Sequence, residues 1–160
     1  MTRQIDYPLR ALLGLRQRIR EVRTQELATA QTAEREAEGA LADAERELAD
    51  RRARRDAEGR RVAAEASDVA TLLRQQRYLD RLASEIRAQL EVVADRRRRL
   101  SECEAAREDA RVALAGAEQE AKAVERHHER WDHRRREEEL ARAEEELEGL
   151  VAARHGSRRL

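Results

Sequence analysis

The sequence predicts an all-α fold: a long antiparallel two-helix coiled-coil hairpin with an overhanging C-terminal helix end. Three observations carry that prediction. Of 160 residues, 42% are charged and 2% aromatic, with no Phe, one Trp and one Pro, a composition typical of long helices and coiled coils. After Pro8 no proline interrupts the chain, and Ala, Glu, Arg, Leu and Gln are all good helix formers. Apolar residues then recur every three and four positions in two stretches, and their registers match if the chain folds back near residue 67.

The elements follow in order: helix one over about 8–65, a corner at about 65–68, helix two over about 68–150, and a tail, 151–160, with no helical assignment. Pro8 suits the N1 position, where the missing N–H costs nothing. The first turns of helix one offer Leu12, Leu15, Ile19 and Val22 as their apolar stripe. One extra residue then shifts the phase, and the stripe continues as Leu27, Ala30, Glu34, Ala37, Leu41, Ala44, Leu48, Arg51, Arg55, Glu58 and Val62. Such a slip alters the supercoil locally without ending the helix.

The corner is Ala64-Glu65-Ala66-Ser67-Asp68, where Ser67 can cap the second helix. Helix two carries two seven-residue ladders. One reads Leu72, Leu79, Ile86, Val93, Leu100, Arg107, Leu114, Ala121, His128; the other reads Gln75, Leu82, Gln89, Arg96, Cys103, Ala110, Ala117, Val124, Trp131. A fold at 67 makes facing residue numbers add to about 134, so Val62 meets Leu72, Leu48 meets Ile86 and Leu41 meets Val93. Arg55 opposite Leu79, Glu34 opposite Leu100 and Leu27 opposite Arg107 are poorer layers. The alternative is one continuous helix of ~150 residues, ~225 Å long, that dimerises.

The same register puts Pro8 opposite Arg126, so residues from about 127 to 150 lack a partner helix. The heptad fails at Asp132 to Glu139, and a fresh stripe of Leu140, Ala143, Leu147 and Leu150 begins. An apolar seam without an internal partner is a candidate docking surface.

Charge is balanced overall, with 34 basic and 34 acidic residues, but it is unevenly spread: residues 1–50 carry −2, 51–100 carry +6 and 101–160 carry −4. Folding at 67 gathers the positive block at the closed end and both negative blocks at the open end. No apolar run reaches the roughly 20 residues needed to cross a bilayer. One cysteine, Cys103, cannot form an internal disulfide and suits a reducing cytosol. No glycine-rich phosphate loop, zinc-protease motif or paired Cys-x-x-Cys occurs, and a narrow helical pair has no pocket in which to desolvate its carboxylates. An enzyme and a cofactor are therefore not expected.

His127, His128 and His133 lie near Glu129 and Asp132, yet no two histidines have the i,i+4 spacing that zinc on one helix face prefers, so no metal is expected either. The arginine runs at 51–55, 60–61 and 96–99 raise nucleic acid as a partner, since 33 of the 34 basic residues are arginine. Base-stacking aromatics are lacking. Arg96 to Arg99 would face Glu34, Glu36 and Glu38, which explains them as interhelical ion pairs without nucleic acid.

Two stretches are non-repetitive. One is Tyr7-Pro8-Leu9 with Leu12-Leu13 and Leu15-Arg16; the other is Glu125-Arg126-His127-His128-Glu129-Arg130-Trp131 leading into the glutamate-rich 137–148. With the length and the Ser67-Asp68 corner, they resemble the stalk protein of bacterial type III secretion systems, the YscO/SctO family, most nearly its chlamydial-type members. The family is related to the flagellar export protein FliJ, which stays a rival of the same class.

The resemblance implies a cytoplasmic stalk at the inner-membrane secretion apparatus. Such a stalk enters the hexameric secretion ATPase, promotes its activity and links it to the cytoplasmic domain of the export-gate membrane protein, without inserting in the membrane. Escort of secretion chaperones is also implied. By analogy with rotary ATPases, Leu72, Leu73, Gln76, Arg77, Tyr78 and Leu79 would face the gate. Tyr7, Pro8, Leu9, Leu12, His128, Trp131, Leu140 and Leu147, at the open end, would face the ATPase. Rival readings from the residues alone are a generic coiled-coil scaffold or dimerisation rod and a nucleic-acid-binding hairpin.

Overall fold

The computed structural model describes residues 6–65 and 68–156. They form two α-helices, α1 (Arg10–Glu65) and α2 (Val69–Gly156), with no strand among the described residues. The helices pair antiparallel as a coiled-coil hairpin. The second helix runs on through Gly156, so residues 151–156 are helical where a tail was expected. Alanine and arginine at 152–154 are good helix formers, and no proline stops the helix there. The chain divides into two compact units, one spanning Gln25–Val112 and the other combining residues up to Thr24 with those from Ala113 on.

In the Gln25–Val112 unit the core is a seam of small layers. Ala44, Leu48 and Val93 form its buried cluster, with Leu41 and Ile86 packed against them. The numbers of Leu41 and Val93, and of Leu48 and Ile86, both add to 134, the register expected from the ladders. Ala37, Leu82 and Cys103 are buried on the same seam. Gln89 is buried too, and its Nε2 donates to the Ala44 carbonyl oxygen at 3.0 Å. A polar seam residue that finds its partner in only one alignment favours that alignment at some cost in stability.

The poor layers resolve through the length of arginine. Arg55 turns outward and is exposed. Arg107 reaches past its own layer to Glu34, with Nε 3.0 Å from Oε2, so two seam charges neutralise each other. Arg51 donates to Glu47 at 2.5 Å and lies 3.7 Å from Glu85 across the hairpin. The hydrogen bond donated to Glu47 raises the pKa of Arg51, desolvation opposes it, and the charges of Glu47 and Glu85 add to the rise. The arginine run pairs differently from expectation. Arg97 meets Glu45 at 2.7 Å across the hairpin, Arg98 pairs with Asp95, and Arg99 with Glu102 along α2. Arg96 and Leu72 are exposed although both stand on the ladder.

The start of α2 is capped by Asp68. Its Oδ1 accepts the Thr71 backbone N–H at 2.7 Å and its Oδ2 accepts the Thr71 hydroxyl at 2.9 Å. Ser67, the expected cap, lies outside the described residues. The geometry places the carboxylate of Asp68 at the N-cap and Thr71 at N3, so an orphan amide is satisfied by a negative charge at the positive end of the helix.

In the other unit the helix start also differs. Tyr7 carbonyl accepts Arg10 N–H at 3.1 Å, which closes a turn with Pro8 at its second position, ahead of the first helical residue. A fixed φ near −65° suits that turn position as well as it suits N1. Leu15 and Val22 are 47% and 51% exposed, so they leave the stripe assigned to them. In the same turns Leu12, Leu13, Gly14, Arg16, Gln17, Ile19 and Arg20 are half-buried. Leu13, Arg16 and Arg20 stand in the heptad phase of Leu27, so no residue is skipped; two arginine stems cover the seam and send their heads to Glu120 and Glu125. Facing them, Ala117 and Ala121 are buried.

Candidate functional site

The side chains proposed from sequence fall into two regions, one in each unit. The first is the opening of α2, beyond the Asp68 cap. Val69, Leu73 and Tyr78 are 73%, 56% and 36% exposed, and Leu72 is 39% exposed. Gln76 and Arg77 are exposed, and Gln76 Nε2 donates to Asp80 Oδ1 at 3.1 Å. The Arg81 guanidinium stands 5.6 Å from the centre of the Tyr78 ring, which holds that ring against the helix by a cation–π contact. Leu79 is half-buried and lines a 450 Å³ cleft with Arg55, Asp56, Gly59, Arg60 and Ala63. Val69 joins the patch although sequence reasoning passed over it. Its signal was the i,i+4 spacing to Leu73 immediately after a cap.

The second region is built around Tyr7, which is only 6% exposed. Its hydroxyl hydrogen-bonds His127 Nδ1 at 2.7 Å. Its ring meets His128 edge-on at 4.5 Å and Trp131 at 5.5 Å, while His128 and Trp131 lie nearly parallel at 6.3 Å. Arg135 completes the group, its guanidinium 5.9 Å from the Trp131 ring centre. Positions 127, 128, 131 and 135 share one helix face because they are three or four residues apart. Tyr7, His128 and Trp131 are thus brought together, along with His127, which the sequence reading weighed only as a metal ligand and as part of the 125–131 stretch, and Arg135, which it did not select. Pro8 and Leu9 are exposed beside them and Leu12 is half-buried. Tyr7 spends its side chain inside the chain, so its contribution to any contact is to hold α1 in place.

Because Tyr7 reaches as far as Trp131, the unpartnered part of α2 begins later than residue 127. Every described residue whose side chain is placed from Arg136 to Arg154 is exposed. Leu140, Leu147, Leu150 and Val151 are 65%, 62%, 66% and 55% exposed. Side-chain pairs along the helix, His133 with Glu137, Arg135 with Glu139 and Arg142 with Glu138, support it at i,i+4 spacing. Leu140 and Leu147 are therefore apolar surface on an acidic helix, with seven glutamates and one arginine over residues 137–148.

Among the described residues no three His, Cys, Asp or Glu side chains could share a metal ion. His127 and His128 are engaged with Tyr7, and His133 pairs with Glu137. Among the described residues no helix is long and apolar enough to cross a membrane. Exposed aliphatic stripes flanked by charge can grip another protein, and that is the chemistry both regions offer.

No protein family and no curated protein matches the sequence. Among solved structures, the fold is similar to that of CT670 from Chlamydia trachomatis, assigned as a YscO homolog. The TM-score is 0.80, the identity is 17%, and the match covers 95% of this chain and 96% of that one. At that identity the likeness is one of fold.

Proposed function

We propose that this chain is the non-catalytic central stalk of a type III protein secretion system. The observation that carries the reading is a hairpin whose fold follows a YscO homolog over nearly its whole length. The Tyr7-Pro8-Leu9 start and the His127-to-Trp131 stretch, which resemble that family in sequence, are joined in one cluster.

The exposed end of α2, with Leu140 and Leu147, would enter the ring of the hexameric secretion ATPase, while Pro8, Leu9 and Trp131 stand at its base. The opening of α2, with Leu72, Leu73, Gln76, Arg77, Tyr78 and Leu79, would meet the cytoplasmic domain of the export gate. The positive block at 51–100 and the negative blocks on either side of it in sequence would keep the two partners from exchanging places. Secretion chaperones are a further class of partner for the same leucine surfaces. A stalk of this kind works at the cytoplasmic face of the secretion apparatus and uses no cofactor.

Affinity capture with the purified chain tests the reading. The cognate ATPase and the gate's cytoplasmic domain should both be retained. Leu147→Glu should weaken only the first and Leu73→Glu only the second. Retention of neither partner would contradict the proposal.

A further inference from the structure

We infer that the chain associates with a second copy of itself by mutual exchange of the α2 ends, each laid along the exposed face of the other's α1. Two unpartnered faces in the same unit motivate this. On α1, Leu15 and Val22 point outward, at 47% and 51% exposure. On α2, Leu140 and Leu147 do so at 65% and 62%.

The two faces cannot meet within one chain. Arg16 pairs with Glu120, so Leu15 stands level with residues near 120. Leu140 lies about 20 residues further along a continuous helix, roughly 30 Å away. A second copy related by a two-fold axis removes that obstacle. When two such units meet end to end, the α2 end of each runs parallel to the other's α1.

Spacing and charge then agree. Leu15 and Val22 are seven residues apart, as are Leu140 and Leu147, so one parallel register seats both pairs at once. In that register Glu144, Glu145 and Glu148 come level with residues 19, 20 and 23 of the partner's α1. Residues 10–23 hold five arginines and one glutamate, with Arg16 and Arg20 turned to Glu120 and Glu125, whereas 137–148 hold seven glutamates and one arginine. Acidic flanks on one apolar stripe and basic flanks on the other set partner and direction in parallel coiled coils. The exchange is isologous and closes at two copies. Arg18 is exposed on α1 beside this stripe.

The inference is independent of the proposed function, since it is read on the purified full-length chain with no other protein present. Sedimentation velocity from roughly 1 to 500 µM should show the 18.5 kDa species giving way to one of twice that mass, as expected for micromolar association. Val22→Glu and Leu147→Glu lie on opposite faces of the contact, and each should raise the dissociation constant tenfold or more. Both positions are exposed, so circular dichroism should show unchanged helix content. A second measurement covers a variant that misfolds: chains carrying Leu15→Cys and chains carrying Leu140→Cys should form a disulfide-linked pair when mixed. A monomer at every concentration overturns the inference. So does a dimer indifferent to either glutamate, one lost with Leu147→Glu but kept with Val22→Glu, or disulfides formed only between identical chains.

Discussion

Three ring side chains from α2 close over Tyr7, and the hydrogen bond to His127 fixes how far its ring enters. Removing that bond leaves a half-buried ring nitrogen without its partner, so Tyr7→Phe should cost about 1 kcal/mol and lower the melting temperature by about 2–4 °C. Tyr7→Ala removes the ring itself, and the fluorescence of Trp131, the chain's one tryptophan, should shift to the red as water reaches the indole. Unchanged emission would mean that Tyr7 is not seated there. At the other cap, the Thr71 backbone N–H and then its hydroxyl hold the Asp68 carboxyl below the usual carboxylate range. A lowered folded-state pKa gives stability that is present above the ordinary pKa near 4 and is lost as pH falls through the folded value. Asp68→Ala should therefore melt lower than the parent at pH 7, and the difference should shrink at acid pH, where the protonated carboxyl still accepts the Thr71 N–H but has lost its charge.

Each helix carries glycines that no contact requires. A Cβ built on Gly39 or Gly116 meets nothing within 4 Å, and both residues are helical without positive φ. Gly39→Ala and Gly116→Ala should each stabilise by up to about 1 kcal/mol, seen as a higher urea midpoint. A loss of stability would show that these positions are packed after all. The helices themselves were legible because nothing in the chain breaks them after Pro8, and the register was legible because Leu41, Leu48, Ile86 and Val93 leave one good alignment. Leu15 and Val22 were misread because apolar spacing says nothing about arginine. Arg16 and Arg20 cover the seam with their methylenes, which leaves the leucine and valine outside. The sequence pointed to Ser67 as the cap of α2; the contacts of the Asp68 carboxylate with Thr71 place Asp68 at that position, one residue further along. The Tyr7 cluster was half legible: the aromatic residues stand out in an Ala-Glu-Arg chain, but contact between residues 120 positions apart depends on the hairpin register.

As a whole, the molecule puts its hydrophobic side chains to two uses. Those of the seam are small and mostly alanine or single Leu, Ile and Val layers, giving less than the ~1.5–3 kcal/mol that a fully buried Leu or Ile contributes. Larger ones, among them Leu73, Leu140, Leu147 and Leu150, are left on the surface. Exposed leucines of this kind would add stability when a partner covers them, as the proposed coupling element requires. The most direct test is ATP turnover by the cognate hexameric secretion ATPase during titration with this chain. Turnover should rise to a plateau, and Leu140→Glu combined with Leu147→Glu should lower that rise. A rate that stays flat up to saturating chain would contradict the stalk assignment.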